Sequence, residues 1–252
     1  PMNIGIIGAG NIGATLARKL ARAGHAVRIA NSRGPETLRG LSEQIGAQAV
    51  SARDAAQGAH VVILSIPLGK LPLLREFTTT WPNDVVVADT SNYYPIRDGN
   101  IAAMDDGQVE SLWVSEQIGH PVVKAWNNIL AVSLADKGLD RGAEGRIALP
   151  VAGDDTGAKA RVMSLVEDTG FDAIDGGPLA ESWRQQAITR AYCSDLTADE
   201  LRAALRTADR ARAPQLREDM VKAYLALGDK ITTEDIVRLH REASARASIE
   251  TH

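Results

Sequence analysis

The chain has 252 residues, of which 44% are hydrophobic and 24% charged, and its formal net charge at pH 7 is −4. These values are ordinary for a globular protein, and the absence of a basic surplus argues against a nucleic-acid partner. The single cysteine, Cys193, excludes an internal disulfide framework. Because no apolar run approaches a membrane span and the glycine-interrupted start lacks a signal-peptide pattern, we expect a cytoplasmic protein without membrane association.

The first predicted element is a short apolar strand over residues 4–7, followed by a glycine-rich turn and a periodic helix over 14–23. The turn has the GxGxxG spacing, in which Gly8 permits a tight turn, Gly10 lets the backbone approach a pyrophosphate and Gly13 allows close packing. Free backbone amides and the helix dipole would hold the phosphates. The residues predicted to bind this dinucleotide are Gly8, Ala9, Gly10, Asn11 and Ile12.

The second predicted strand, over 27–30, ends where an NAD enzyme places an acidic residue that binds the ribose 2′-hydroxyl. Asn31, Ser32 and Arg33 stand there instead. A hydroxyl and a guanidinium suit a 2′-phosphate, so we predict that these residues bind NADPH in preference to NADH. The alternative is that Arg33 is a solvated turn residue before a helix near Pro35.

Up to residue 178, β-branched runs alternate with helical stretches, which is the pattern of parallel βαβ units. The predicted fold is α/β, a doubly wound and mostly parallel Rossmann sheet. Its eight expected strands cover residues 4–7, 27–30, 48–50, 61–66, 85–89, 122–126, 147–152 and 171–174. The run over 61–66 is apolar on both faces, which predicts a central strand. Helices are predicted over 69–77, 127–137 and 155–169.

After residue 178 the strand signals stop, and Ala, Arg, Glu and Leu dominate. A capping box from Thr197 to Glu200 predicts a helix to Arg212, which Pro214 should break. Further helices are expected over 216–227 and 232–245. We therefore predict a Rossmann domain over 1–178 and a helical domain over 179–252, with a homodimer formed through apolar helix faces that little remaining chain can cover.

Distinctive residues follow the fourth, fifth and sixth strands, at the edge where a doubly wound sheet binds its ligand. Ser65, Ile66 and Pro67 follow the fourth strand, and the last two would form an apolar wall for the nicotinamide or its ribose. Asn92 and Asn127 follow the next two strands and supply amides. We predict cofactor contacts at all five, although Asn, Ser and Pro are also common loop formers at such positions.

These motifs together resemble the NADPH-dependent oxidoreductases related to the NADP reductases of coenzyme F420, a deazaflavin. The matching segments are 8–13, 31–33, 65–67, 122–127, 151–155 and 175–179. The resemblance implies NADP(H) as cofactor and a deazaflavin, flavin-like or small carbonyl compound as hydride acceptor. It also implies NADPH contacts at Ala9, Gly10, Asn11, Ile12, Ser32 and Arg33, with Ile66 and Pro67 under the nicotinamide. Deazaflavin reductases often carry a histidine near Asn127, so the acceptor side differs here.

The catalytic residues are less clearly marked. A flavin-like acceptor needs no dedicated acid, whereas a carbonyl acceptor needs a proton donor within hydrogen-bond reach. Trp183 could stack on a flat acceptor, although packing is the commoner role at a domain junction. The candidates for a role at the acceptor are Asn127, Tyr93, Lys124 and Trp183, with Tyr94 and Tyr192 as further proton donors.

Two alternative functions stay open. Lys124 and Asn128 match the Lys-x-x-Asn-Asn segment of β-hydroxyacid dehydrogenases, where both lie on one helix face, and this alternative requires residues 122–126 to be helical. A non-catalytic NADP(H) redox sensor would have the same phosphate site. We predict no metal site, because the histidines lack metal-ligand spacing; they are His25, His60, His120, His240 and His252.

Overall fold

The computed structural model describes residues 1–249, apart from the side chains of Pro214, Lys230 and residues 244–249. His252 and the end of the predicted helical domain lie outside the described residues. The centre is a six-stranded parallel sheet in the order β3, β2, β1, β4, β5, β6, and β7 pairs with β8 in a second parallel ladder. Strands β1 to β8 span Asn3–Ile7, Ala26–Ala30, Gln48–Ala49, Val61–Leu64, Val86–Asp89, Val123–Lys124, Ala148–Val151 and Asp172–Asp175. The doubly wound α/β fold is confirmed.

Helices cover both faces of the sheet. Helices α1 to α11 of the described chain span Asn11–Arg22, Arg39–Ile45, Arg75–Thr78, Pro95–Asp98, Ala102–Asp105, Glu110–Ile118, Ala131–Asp136, Thr156–Asp168, Ala198–Arg206, Ala213–Leu227 and Thr233–Ile249. Short 3-10 helices span Pro35–Leu38, Asp54–Ala56, Leu68–Leu74, Leu179–Gln185, Arg210–Arg212 and Gly228–Lys230. No helix among residues 1–249 has both the length and the apolar character needed to cross a bilayer.

Strand β4 lies at the centre of the sheet and is buried throughout, as predicted. Val61 and Ile63 face the core that contains α1 and α8. Val62 and Leu64 face the second core, which contains α6 and the 3-10 helix over 68–74. Both faces of the strand are therefore apolar because helices cover both of them.

The prediction of one eight-stranded sheet is wrong. The β7–β8 ladder joins the six-stranded sheet through an antiparallel bridge between Lys124 and Ala152, with N···O distances of 2.8 and 3.0 Å. Strand β6 is only two residues long. Trp126 follows it with a left-handed φ of 54°, which takes the chain out of the extended conformation and ends the strand.

Three predicted helix boundaries also differ. Residues 127–130 form a loop, and α7 begins only at Ala131. The helix that starts at the capping box ends at Arg206, before Pro214. Pro214 lies in the first turn of α10, where a backbone N–H would have no intrahelical partner, so the N–H that proline lacks is not needed there. Helices α4 to α6, between residues 95 and 118, were not predicted from the sequence.

The helical segment after residue 178, called the tail below, does not pack as one separate body. Leu201 and Leu205 of α9 pack against Ala148 of β7 and Ile174 of β8. Helices α10 and α11 pack mainly against each other. Arg241 of α11 donates hydrogen bonds to the backbone carbonyls of residues 194 and 195, at 2.7 and 2.8 Å. The domain boundary at residue 178 stays a prediction.

Candidate cofactor and acceptor site

The glycine-rich turn between β1 and α1 is tight at two positions and open at a third. Gly8 has a φ of +116°, and a Cβ on it would lie 2.0 Å from the carbonyl oxygen of Ser65. A Cβ on Gly13 would lie 2.0 Å from the carbonyl oxygen of Gly8. At Gly10, by contrast, φ is −74° and a Cβ would meet no described atom within 4 Å beyond its chain neighbours and its own helix. The backbone at Gly10 is therefore open to a ligand.

Helix α1 begins directly beside this opening. Gly10 is its N-cap residue, no side chain caps it, and its first turn contains no acidic residue. Asn11 is exposed and Ile12 is half-buried. The N–H groups of a first helical turn lack intrahelical partners and carry the positive end of the dipole. This end of α1 therefore fits the pyrophosphate of a dinucleotide.

The end of β4 lies against the same turn. Ile66 Cγ2 would be 3.1 Å from a Cβ on Gly8, and Ser65 Cβ would be 3.3 Å from a Cβ on Gly13. Ser65, Ile66 and Pro67 are all half-buried. The structure thus brings two predicted groups together, the glycine-rich turn and the residues that follow β4.

Asn31 determines the shape of the loop after β2. Its Oδ1 accepts hydrogen bonds from the backbone N–H groups of Arg33 and Gly34 at 3.1 and 3.0 Å, and its Nδ2 donates to the Thr37 hydroxyl at 2.9 Å. Ser32 and Arg33 are exposed, and within the described chain neither side chain makes a hydrogen bond or ion pair. The Asn31 amide is thus used inside the loop, while the guanidinium of Arg33 remains free for a ligand.

An amide clamp, formed by Asn92, Asn127 and Gln185, joins the ends of β5 and β6 to the tail. Asn127 is 2% exposed, and its Nδ2 donates to Asn92 Oδ1 at 3.1 Å and to the Gln185 carbonyl at 2.7 Å. Its Oδ1 accepts from Gln185 Nε2 at 3.1 Å. Asn92 Nδ2 in turn donates to the Asn127 backbone carbonyl at 2.8 Å. The Asn127 side chain therefore fixes the loops that follow β5 and β6. No local signal in the sequence marked Gln185 as its partner.

Lys124, a candidate catalytic residue, lies inside the protein beside two buried carboxylates. It is fully buried, and its Nζ has no hydrogen-bond partner within the described chain. Asp89 lies next to it in the sheet and accepts a hydrogen bond from the Ser111 hydroxyl at 2.8 Å. Burial raises the pKa of Glu110, and the charge of Lys124 opposes that rise. Lys124 therefore acts electrostatically on an acidic side chain buried under α6.

Tyr93 and Trp183 also make contacts within the protein. The Tyr93 hydroxyl donates to Asp105 at 2.8 Å, and the side chain is buried against α5 and α6. The Trp183 ring lies 4.5 Å from the Arg184 guanidinium and 5.8 Å from that of Arg210, as ring-centroid distances. Both side chains thus pack within the protein, Tyr93 against α5 and α6 and Trp183 against two arginines.

The geometry required for the β-hydroxyacid dehydrogenase alternative is absent from residues 122–126. Lys124 belongs to strand β6, and Asn128 lies in the loop before α7. Asn128 Nδ2 donates to the Ala191 carbonyl at 2.9 Å. Lys124 and Asn128 therefore do not share a helix face.

Two tyrosines named as further proton donors meet at the junction with the tail. The hydroxyls of Tyr94 and Tyr192 are hydrogen-bonded to each other. The Tyr192 ring lies edge-on to His240, with centroids 5.4 Å apart, and Tyr224 shares a 2.7 Å hydrogen bond with His240 Nε2. Burial raises the pKa of Tyr94 to about 12 and lowers that of His240 to about 4. Because 98 residues separate Tyr94 from Tyr192, no local pattern indicated this pairing.

Comparisons with known proteins place the chain in a family. Residues 3–93 match the family described as NADP oxidoreductase coenzyme F420-dependent. The protein YjhV of Escherichia coli (strain K12) is 43% identical over 103 residues, which cover 41% of this chain and 75% of that protein. The crystal structure of hypothetical protein SMa0349 from Sinorhizobium meliloti has a TM-score of 0.64 at 34% identity, over 74% of this chain and 91% of that one. The chain belongs to this family.

The family model covers the N-terminal part of the chain, residues 3–93. The matched segment runs from β1 past the end of β5, so it contains the glycine-rich turn, the Arg33 loop and Ser65 to Pro67. A protein from Arthrobacter sp. FB24, provisionally named an F420 dependent NADP-reductase, has a TM-score of 0.62 over 90% of this chain and 96% of that one. Its identity is 21%, so this likeness shows the fold alone.

Proposed function

We propose that this protein is an NADPH-dependent oxidoreductase that transfers hydride between NADP(H) and a small acceptor, either a deazaflavin or flavin-like ring or a carbonyl compound. The observation that supports the proposal is the free guanidinium of Arg33. Arg33 lies in the loop after β2, where a dinucleotide-binding fold meets the adenosine ribose, and β2 pairs with β1, which leads into the glycine-rich turn that is open at Gly10. An arginine at that position recognises the 2′-phosphate, which distinguishes NADPH from NADH.

Three groups of residues within the segment 3–93 would bind three different parts of the cofactor. The backbone from Gly8 to Ile12 would hold the pyrophosphate, and Ser32 with Arg33 would hold the 2′-phosphate. Ile66 and Pro67 would provide the wall against the nicotinamide, which supplies the hydride when NADPH is bound. Positioning then carries most of the catalysis, because hydride transfer needs the donor and acceptor carbons held close together. Asn92 and Asn127 support this geometry through the amide clamp.

Titrating NADPH and NADH into the wild type and Arg33→Ala tests the proposal. A lost charged hydrogen bond costs about 1.5–3 kcal/mol, so we expect a roughly 10- to 100-fold weaker affinity for NADPH and an unchanged affinity for NADH. Arg206→Ala is the matched control, because Arg206 is also exposed and lies far along the chain in α9. Equal wild-type affinities for the two cofactors would overturn the 2′-phosphate assignment.

Turnover separates an enzyme from a non-catalytic NADP(H) sensor. Oxidation of NADPH with FMN, a deazaflavin, a ferric chelate or a dicarbonyl would exclude a pure sensor.

A cytoplasmic location, where NADPH is available, stays part of the proposal. So does a homodimer through the tail, where Val221 and Leu225 of α10 are 52% and 76% exposed. A monomeric mass in solution would contradict the dimer.

A further inference from the structure

The tyrosine pair formed by Tyr94 and Tyr192 is anchored to the loops that follow β5 and β6. Tyr94 lies two residues after Asn92, whose side chain belongs to the amide clamp. Tyr192 is fixed from the other direction, because the N–H of the next residue, Cys193, donates to the Asn128 carbonyl at 2.7 Å. Asn128 follows β6. The pair therefore stands at the carboxyl edge of the sheet, where a hydride acceptor must meet the cofactor.

The backbone around Tyr192 adopts an unusual conformation. Ile188, Cys193 and Asp195 have φ values of 67°, 50° and 47°. A left-handed conformation is costly for non-glycine residues, especially a β-branched one, and persists only where the surroundings impose it. Asp195 is held by Ser133 at 3.0 Å and Lys137 at 2.8 Å. Such strain clusters at functional sites, which favours a role for this segment beyond packing.

The two hydroxyls are not equivalent. Tyr192 is 9% exposed, whereas Tyr94 is only half-buried. Burial raises the pKa of Tyr192 well above its ordinary value, and a hydrogen bond from Tyr192 partly offsets the rise in the pKa of Tyr94. Either hydroxyl can donate in this pair; when Tyr192 donates to the Tyr94 oxygen, the Tyr94 proton is left available. Behind Tyr192, the Nε2 of His240 bonds with Tyr224.

We propose that Tyr94 donates a proton to a carbonyl acceptor, and that Tyr192 is a positioning residue that holds the Tyr94 oxygen. This inference rests on the proposed function and selects a small aldehyde or ketone over a flavin-like ring as the acceptor class. A flavin-like ring needs no dedicated acid, whereas the alkoxide formed from a carbonyl takes a proton as it forms.

The reaction consumes NADPH, the carbonyl compound and one proton from solvent. Hydride from C4 of the dihydronicotinamide forms a C–H bond at the carbonyl carbon, and the C=O π pair moves onto the oxygen. The Tyr94 O–H bond breaks, and its proton passes to that oxygen. NADPH is oxidised and the carbonyl is reduced to an alcohol. The Tyr94 phenolate, stabilised by the Tyr192 hydroxyl, regains a proton from water.

The test compares Tyr94→Phe and Tyr192→Phe with Tyr224→Phe, a control from the same cluster whose hydroxyl bonds with His240 instead. The carbonyl probes are methylglyoxal, 2,3-butanedione and benzaldehyde, and FMN is the flavin-like probe. We expect wild-type turnover with a carbonyl probe. Tyr94→Phe should lower kcat with that probe about 10²- to 10⁴-fold, the usual share of general acid catalysis, without changing the Kd of NADPH.

Tyr192→Phe should lower kcat with the carbonyl probe by a smaller factor, and Tyr224→Phe should leave it within about threefold. Any FMN turnover should survive in all three variants, which separates loss of the acid from loss of the fold. If Tyr94→Phe fails to fold, a selective loss of carbonyl turnover in Tyr192→Phe supports the inference and unchanged turnover overturns it. Absence of carbonyl turnover in the wild type also overturns it, whereas failure to bind NADPH would overturn the proposed function itself.

Discussion

Replacing Gly10 with alanine should separate cofactor binding from folding at the glycine-rich turn. The φ of −74° at Gly10 suits alanine, and its methyl group would meet no described atom within 4 Å outside the chain neighbours and the helix. We therefore expect the free energy of unfolding to change by less than about 0.5 kcal/mol. Gly8→Ala and Gly13→Ala would each place a methyl 2.0 Å from a carbonyl oxygen, and should lose more than about 3 kcal/mol.

The same Gly10 methyl group would occupy the space through which a pyrophosphate approaches the backbone. Hydrogen bonds to charged groups contribute about 1.5–3 kcal/mol each. Losing one such bond would raise the Kd of NADPH about 10- to 100-fold. A larger increase would mean that the displaced phosphate loses more than one backbone donor.

Calorimetric titration measures the Kd of NADPH, and urea unfolding of the same preparation measures the free energy of unfolding. Gly40→Ala is the matched control. A Cβ on Gly40 in α2 would also meet no described atom within 4 Å outside its neighbours and its own helix, but Gly40 lies outside the glycine-rich turn. Wild-type affinity in Gly10→Ala would show that the pyrophosphate does not approach Gly10. A large loss of stability in that variant would refute the claim that the position is open.

Two further predictions concern buried charge. Lys124→Met should lower the free energy of unfolding by about 1–3 kcal/mol in urea titrations, because the buried Glu110 would lose the positive charge that opposes the rise in its pKa; an unchanged free energy of unfolding would contradict that role. The pKa of His240 is lowered from 6.5 to about 4, so below pH 6.5 protons favour the unfolded chain, and stability should fall by about 3 kcal/mol by pH 4. His240→Gln should remove that part of the loss, and parallel wild-type and variant curves from pH 7 to 4 would refute it.

The sequence predicted the elements whose signals are local. The GxGxxG spacing located the turn because a Cβ on Gly8 or on Gly13 would clash with a backbone carbonyl oxygen. The apolar run of β4 indicated a central strand because both faces are covered. The prediction of a single eight-stranded sheet was wrong. Ala152, just after β7, pairs antiparallel with Lys124 of β6, and hydrophobic patterning does not reveal the direction in which two strands pair.

Contacts distant in sequence were beyond local reasoning. The bond between Asn127 and Gln185 spans 58 residues, and that between Tyr94 and Tyr192 spans 98. Helices α4 and α5 have four residues each, too few to show helical periodicity. Lys124 resembled a catalytic lysine from its neighbours in sequence, and only the folded structure shows that it is enclosed with carboxylates.

The loop after β2 keeps its shape independently of the two residues that would read the cofactor. Asn31 and Thr37 hold the turn through hydrogen bonds to each other, and Asn31 also binds the backbone, while the side chains of Ser32 and Arg33 make no hydrogen bond or ion pair within the described chain. Substitution at these two positions therefore places little demand on folding. Evolution can alter which dinucleotide such a protein prefers without first having to stabilise the loop that makes the choice.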